Sequence, residues 1–153
     1  MMKKLFISFC LIAASLSSFS QTCEERENKL LEAMGGFSAG MLYNTYGFIG
    51  SVSDGFVHDA YNATTVNDLM EIQMKLADNM VKVMQDLVKG NMLTAQSDKD
   101  YAASVIMILN GLGAQAKFVV DYTKNKSKEN QDSYEAQRKK NWKDISQLMG
   151  FKE

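Results

Sequence analysis

A single histidine serves the whole chain, and its neighbours raise the first question of chemistry. Asp54 stands one helical turn before His58, Asp59 follows it directly, and Tyr61 lies close in sequence. If the stretch is helical, Asp54 and His58 share a face and offer either one hydrogen bond or two metal ligands. A structural zinc site takes four ligands and a catalytic one usually three. With no second histidine, distant carboxylates would have to complete either shell. A histidine satisfied by one hydrogen bond or by water is the simpler expectation.

The thiol offers no better start for catalysis. Cys10 falls inside an N-terminal leader, which leaves Cys23 alone near the start of the remaining chain. A catalytic thiol wants an imidazole partner, and His58 is far off in sequence. A lone cysteine in an exported chain points to a free thiol or to a bridge between two copies. No pair of residues combines the chemistry and the spacing of an active site, so no enzyme is expected.

Methionine is the abundant soft ligand. Once Met1 and Met2 leave with the leader, nine remain of the eleven. Met70 and Met74 are one helical turn apart, as are Met80 and Met84. Thioethers suit Cu(I), so Met70, Met74, Met80 and Met84, with His58 and Asp54, are the candidates for metal handling. Methionine is also an adaptable core filler, and most of these positions fall on or beside an apolar stripe. Core packing is the leading reading, a partner-binding groove comes next, and copper is the further alternative.

Gly111-Leu112-Gly113-Ala114-Gln115-Ala116 fits the spacing G-x-G-x-x-A of dinucleotide-binding turns, after an apolar run from Val105 to Leu109. That turn works only between a strand and a helix of a parallel sheet. Ser97-Asp98-Lys99-Asp100 starts a helix upstream, and no alternation of strands and helices surrounds it. Small residues for close helix packing are expected there, and no cofactor. The aromatic residues Tyr43, Tyr46, Phe48, Phe56 and Tyr61 crowd a glycine-rich segment and form the candidate partner-binding surface. Asn62-Ala63-Thr64 and Asn125-Lys126-Ser127 are glycosylation sequons, meaningful only in a host that uses them.

The N-terminus reads as an address. Lys3 and Lys4 precede an apolar run from Leu5 to Leu16, and Ser18 and Ser20 stand at the small-residue positions before a cut at Gln21, as in a secretory signal peptide. The run is shorter than the roughly 20 apolar residues of a membrane span. Residues 1–20 are therefore expected to be a signal peptide and 21–153 a single helical domain, periplasmic or secreted, with no membrane span after cleavage. Loss of Lys3 and Lys4 leaves 15 basic against 18 acidic residues, which disfavours nucleic acid.

What must position these residues is helical. The chain has no proline, and its apolar residues recur at three- and four-residue steps. Thr22 with Glu25 makes a capping box ahead of a stripe of Leu30, Met34, Phe37 and Met41, continued by Phe48, Val52 and Phe56. Six glycines in this segment predict a bend or break, at Gly35-Gly36 or around Gly50 to Gly55, with a neighbouring backbone close to Gly36 and Gly40. A second helix is predicted from Thr64 or Thr65 to Gly90, with Leu69, Leu76, Met80, Val83 and Leu87 inward, widened by Val66, Met70, Met84 and Val88. A third starts at Ser97 and turns Val105, Ile108 or Leu109, Leu112, Ala116 and Val119 inward. A fourth starts between Ser127 and Ser133, with Tyr134, Trp142, Ile145, Leu148 and Met149 as its apolar side. Four such helices with short links form an all-α, antiparallel four-helix bundle with a long, glycine-rich, bent first helix. The expected role is that of an exported binding protein whose partner is another envelope protein or a small apolar ligand, with a homodimer through Cys23 as a further option.

Overall fold

A computed structural model describes residues 22–151. It is helical throughout, with α1 at Cys23–Val57, α2 at Ala63–Lys89, α3 at Gln96–Lys124 and α4 at Lys128–Met149. Residues 1–20, the expected signal peptide, and the side chain of Cys23 lie outside the described residues. The chain divides into two compact units at Gly36. In the first, Thr22 and Glu25 form the expected reciprocal cap: the Thr22 backbone N–H donates to Glu25 Oε2 at 3.0 Å, and the Glu25 N–H donates to Thr22 Oγ1 at 3.1 Å.

The second unit, residues 37–153, holds the bundle. Ser38 meets Tyr101 and Phe56 meets Tyr122, so α1 and α3 run the same way. Tyr43 meets Trp142 while Asp54, further along, meets Arg138, so α4 runs against α1. Thr123, near the end of α3, donates to Asn67 at the start of α2. The connections leave five residues between α1 and α2, six between α2 and α3, and three between α3 and α4. Links that short join antiparallel neighbours, and the up-down-up-down order follows.

The caps refine the expected boundaries. Asn62, rather than Thr64 or Thr65, caps α2 by accepting from the Thr65 N–H at 2.9 Å. Ser97 lies inside the first turn of α3, whose cap position is Ala95 without a side-chain bond. Ser127 caps α4, accepting from the Asn130 N–H at 3.2 Å.

The core is a seam of heptad spacing on α1. Ser38, Leu42, Thr45, Ile49, Val52 and Phe56 alternate steps of four and three and are all buried. Val52 and Phe56 belong to the expected stripe, whereas Leu30 and Phe37 are exposed, Phe37 keeping 81% of its surface in water. Small hydroxyl residues share the buried face. They let α1 approach closely, and Ser38 is satisfied by a 2.7 Å hydrogen bond to the Tyr101 hydroxyl. A break in α1 does not occur, since the helix continues through Gly35-Gly36, Gly50 and Gly55. Nor, among the described residues, does a backbone approach Gly40, because a methyl group built on it meets nothing within 4 Å.

Helix α3 is the central one, with a segment of mean hydropathy 1.5 that is long and apolar enough to cross a membrane. Its Ala102, Val105, Ile108, Leu109, Leu112, Ala116 and Val119 are buried, as the spacing predicts. Both Ile108 and Leu109 are enclosed because α3 packs against helices on more than one side. On α2 the buried row is Val66, Met70, Ala77 and Met84, so Leu76 and Val83 stand outside it. Ala77 in the middle of that row leaves room for α3, whereas a leucine there would hold the helices apart. Met70→Ala should cost about 2–5 kcal/mol of stability in urea unfolding. Met107→Ala, at a half-exposed site, should cost only about 0.5 kcal/mol.

Candidate functional site

The site begins beneath the surface, with a buried amide. Asn141 of α4 is wholly enclosed, and its Nδ2 donates to the Gly111 carbonyl at 2.9 Å and to Gln115 Oε1 at 2.8 Å. Gln137 Nε2 completes the layer by donating to Asn141 Oδ1 at 2.8 Å. The amide fits because Gly111 has no side chain: a Cβ there would collide with Asn141 Oδ1 and press on Gln137. The glycine of the G-x-G-x-x-A pattern is therefore a packing device inside a helix. Gly113, two residues on, faces open space.

Asn141 on the buried side turns the next residue, Trp142, to the edge of the α1–α4 seam. Trp142 is the chain's one tryptophan and is 39% exposed, so it does not belong to the core as its spacing suggested. Its ring lies 5.6 Å from Tyr46 and 6.2 Å from Tyr43, both tilted against it. Phe151 closes the other side, its ring 6.4 Å from Trp142. A left-handed cap puts it there. Gly150 takes φ 71°, and the Phe151 N–H returns to the Ser146 carbonyl at 2.9 Å.

Between the helices lies an open groove of about 550 Å³, lined by Tyr43, Asn44, Tyr46, Gly47, Phe48, Ser51 and Trp142. Tyr43, Gly47 and Ser51 follow one another at four-residue steps, so they form a single row along α1. Gly47 leaves the floor low, since a methyl group at its Cα would meet nothing within 4 Å. Aromatic faces dominate the walls, while Asn44 and Ser51 supply hydrogen-bonding groups.

The structure thus gathers Tyr43, Tyr46 and Phe48 of the expected surface and sends the other two elsewhere. Phe56 is buried, edge-on to Tyr122 with the Lys126 ammonium 4.6 Å above its ring. Tyr61 lies in the α1–α2 connection, against Gly55. The expectation included both because it read the aromatics as one sequence cluster, whereas helix rotation separates their faces. Trp142, Phe151, Asn44, Gly47 and Ser51 were missed. The available signal was Trp142 itself, a large ring in a polar helix whose neighbour Asn141 could compete for the inward position.

Met70 and Met84 are buried in the core, and Met74 and Met80 pack against it. Asp54 turns to Arg138, Oδ1 to Nη1 3.7 Å, and His58 is exposed beyond the end of α1. Among the described residues, no group of three or more His, Cys, Asp or Glu side chains is placed to hold a metal ion.

The chain matches no known protein family, no curated protein and no solved structure. What the groove can bind follows from its own geometry.

Behind the groove, Tyr134 and Gln115 carry a second feature of the polar layer. The Tyr134 hydroxyl and Gln115 Nε2 are buried with no hydrogen bond of good geometry, although Ser53 and Gln115 are the hydroxyl's nearest polar neighbours. Burial holds the Tyr134 hydroxyl protonated above the ordinary tyrosine range, against weaker pulls from Ser53 and Arg138. Below about pH 10 the hydroxyl is neutral in both folded and unfolded chains, and pH does not act through it. Above that, the unfolded chain releases the proton first, so stability falls with rising pH. Tyr134→Phe should flatten this alkaline decline and change stability at neutral pH by no more than about 1 kcal/mol, because no good bond is lost. Urea unfolding at stepped pH measures both. Gly111→Ala, by contrast, should cost about 1–3 kcal/mol by overpacking the seam against Asn141.

Proposed function

We propose that the protein is a non-enzymatic binding module of the bacterial envelope, and that its α1–α4 groove seats an apolar or aromatic side chain of a partner protein. The observation that carries this reading is the set of three rings, Tyr43, Tyr46 and Trp142, held partly in water by two packed helices around one groove. Tryptophan and tyrosine concentrate at the centres of protein interfaces, because they bury a large area at low entropic cost. A small-molecule site encloses most of its ligand, whereas this groove is open and suits a side chain presented by a larger surface. Asn44 and Ser51 would fix its orientation through hydrogen bonds to the partner's backbone. The signal-peptide pattern of residues 1–20 supports the envelope as the place.

A photo-crosslinking residue substituted for Asn44 tests the proposal in growing cells. The expected result is one discrete crosslinked product that is lost when Trp142→Ala or Gly47→Leu is added. Both variants alter exposed positions and should keep full helicity. A spread of products with abundant envelope proteins, unaffected by either substitution, would overturn the proposal.

A further inference from the structure

The free charges beside the groove are all of one sign. From Phe37 to Ser53 helix α1 carries no charged side chain, so the charges nearby come from α4 and from Asp54. Going round α4 from buried Asn141 to Trp142 at the rim, the side chains that follow at the same level are Lys139 and Lys143. Both are exposed. The neighbouring carboxylates are already held, Asp54 and Glu135 by Arg138 at 3.7 and 3.9 Å and Asp144 by Lys140 at 2.6 Å. Among the described residues neither Lys139 nor Lys143 has a carboxylate within ion-pair distance. They stand four residues apart, where like charges on a helix repel. Elsewhere the same spacing is used for attraction, in Glu71 with Lys75, Lys117 with Asp121 and Lys128 with Asp132. Nor is the chain basic as a whole, since 15 basic residues face 18 acidic ones without residues 1–20.

A repulsion left unrelieved on one border of an aromatic groove is relieved by an anion from outside. We infer that the partner segment seated in the groove is acidic. Its apolar or aromatic side chain rests over Gly47 against Tyr43 and Trp142, and flanking aspartate or glutamate residues meet Lys139 and Lys143. This occupant presupposes that the groove binds a protein, and adds the chemistry of the segment it takes. Rim charges of this kind speed encounter and turn away wrong partners, while the buried rings hold the complex together. An anionic membrane also attracts two lysines beside a tryptophan. It offers, however, no side chain to fill the groove and no peptide backbone for Asn44 and Ser51 to bond.

Photo-crosslinking from position 44 in growing cells, with the linked fragment mapped by mass spectrometry, provides the test. The expected fragment is a peptide with acidic residues beside the linked position. Lys139→Glu with Lys143→Glu is expected to lower the yield at least about fivefold, and Lys139→Arg with Lys143→Arg to keep it. Lys82→Glu with Lys89→Glu on α2 makes the same change in net charge and should leave the yield unaltered. Circular dichroism confirms that each variant is folded. A yield that ignores reversal of Lys139 and Lys143, or that falls equally with the α2 pair, overturns the acidic partner and leaves the groove reading standing. A linked peptide without acidic residues does the same. A lipid adduct in place of a peptide overturns both, and so does the absence of any discrete product.

Discussion

The contact between Asn141 and the backbone of α3 governs how the fourth helix sits. Helix α4 is too polar to be oriented by hydrophobicity alone, since its buried residues are Tyr134, Asn141, Ile145 and Ser146. Two hydrogen bonds from one enclosed amide supply the missing instruction. An apolar contact tolerates sliding, but an amide removed from its partners in a dry interior costs about 1–3 kcal/mol. Only one rotation of α4 satisfies Asn141, and Gly111 is the position on α3 where the helices come close enough to allow it.

From that rotation the rest of the surface follows. Trp142 is carried to the rim, where α1 presents Tyr43 and Tyr46, and the cap at Gly150 brings Phe151 to its far side. Helix α1 contributes through its small residues. Ser38, Thr45 and Ser53 are buried beside Leu42, Ile49 and Val52, so the helix lies close to its partners while its aromatic residues fall on the outer edge. The same economy appears on α2, where Ala77 draws the helix inward on one side and leaves Ile72, Leu76 and Val83 on another.

The number and order of helices were legible in the sequence because the three- and four-residue periodicity is strong and no proline interrupts it. The capping box of Thr22 and Glu25 was equally plain, as was the inward face of α3, whose apolar residues outnumber any other choice. What the sequence did not reveal was rotation. On α1 and α2 the expected stripes held in part: Val52 and Phe56 on α1 and Val66, Met70 and Met84 on α2 are buried, whereas Leu42, Ile49 and Ala77 were not foreseen and Phe37, Leu76 and Val83 are exposed. On α4 the apolar pattern named Trp142 as core, but Asn141 took that place through bonds to residues some thirty positions earlier. Tyr43, Tyr46 and Phe48 line one groove because they share one segment of α1. Trp142 and Phe151 join them only by tertiary packing, which spacing along the chain does not encode.

The solitary indole also makes the molecule its own optical reporter. Partly in water and flanked by two phenol rings at 5.6 and 6.2 Å, it emits from the seam between the first and last helices of the bundle. Light absorbed by those phenols passes to it only while the two helices stay together, so separation of α4 from α1 registers in its colour and brightness without any attached dye.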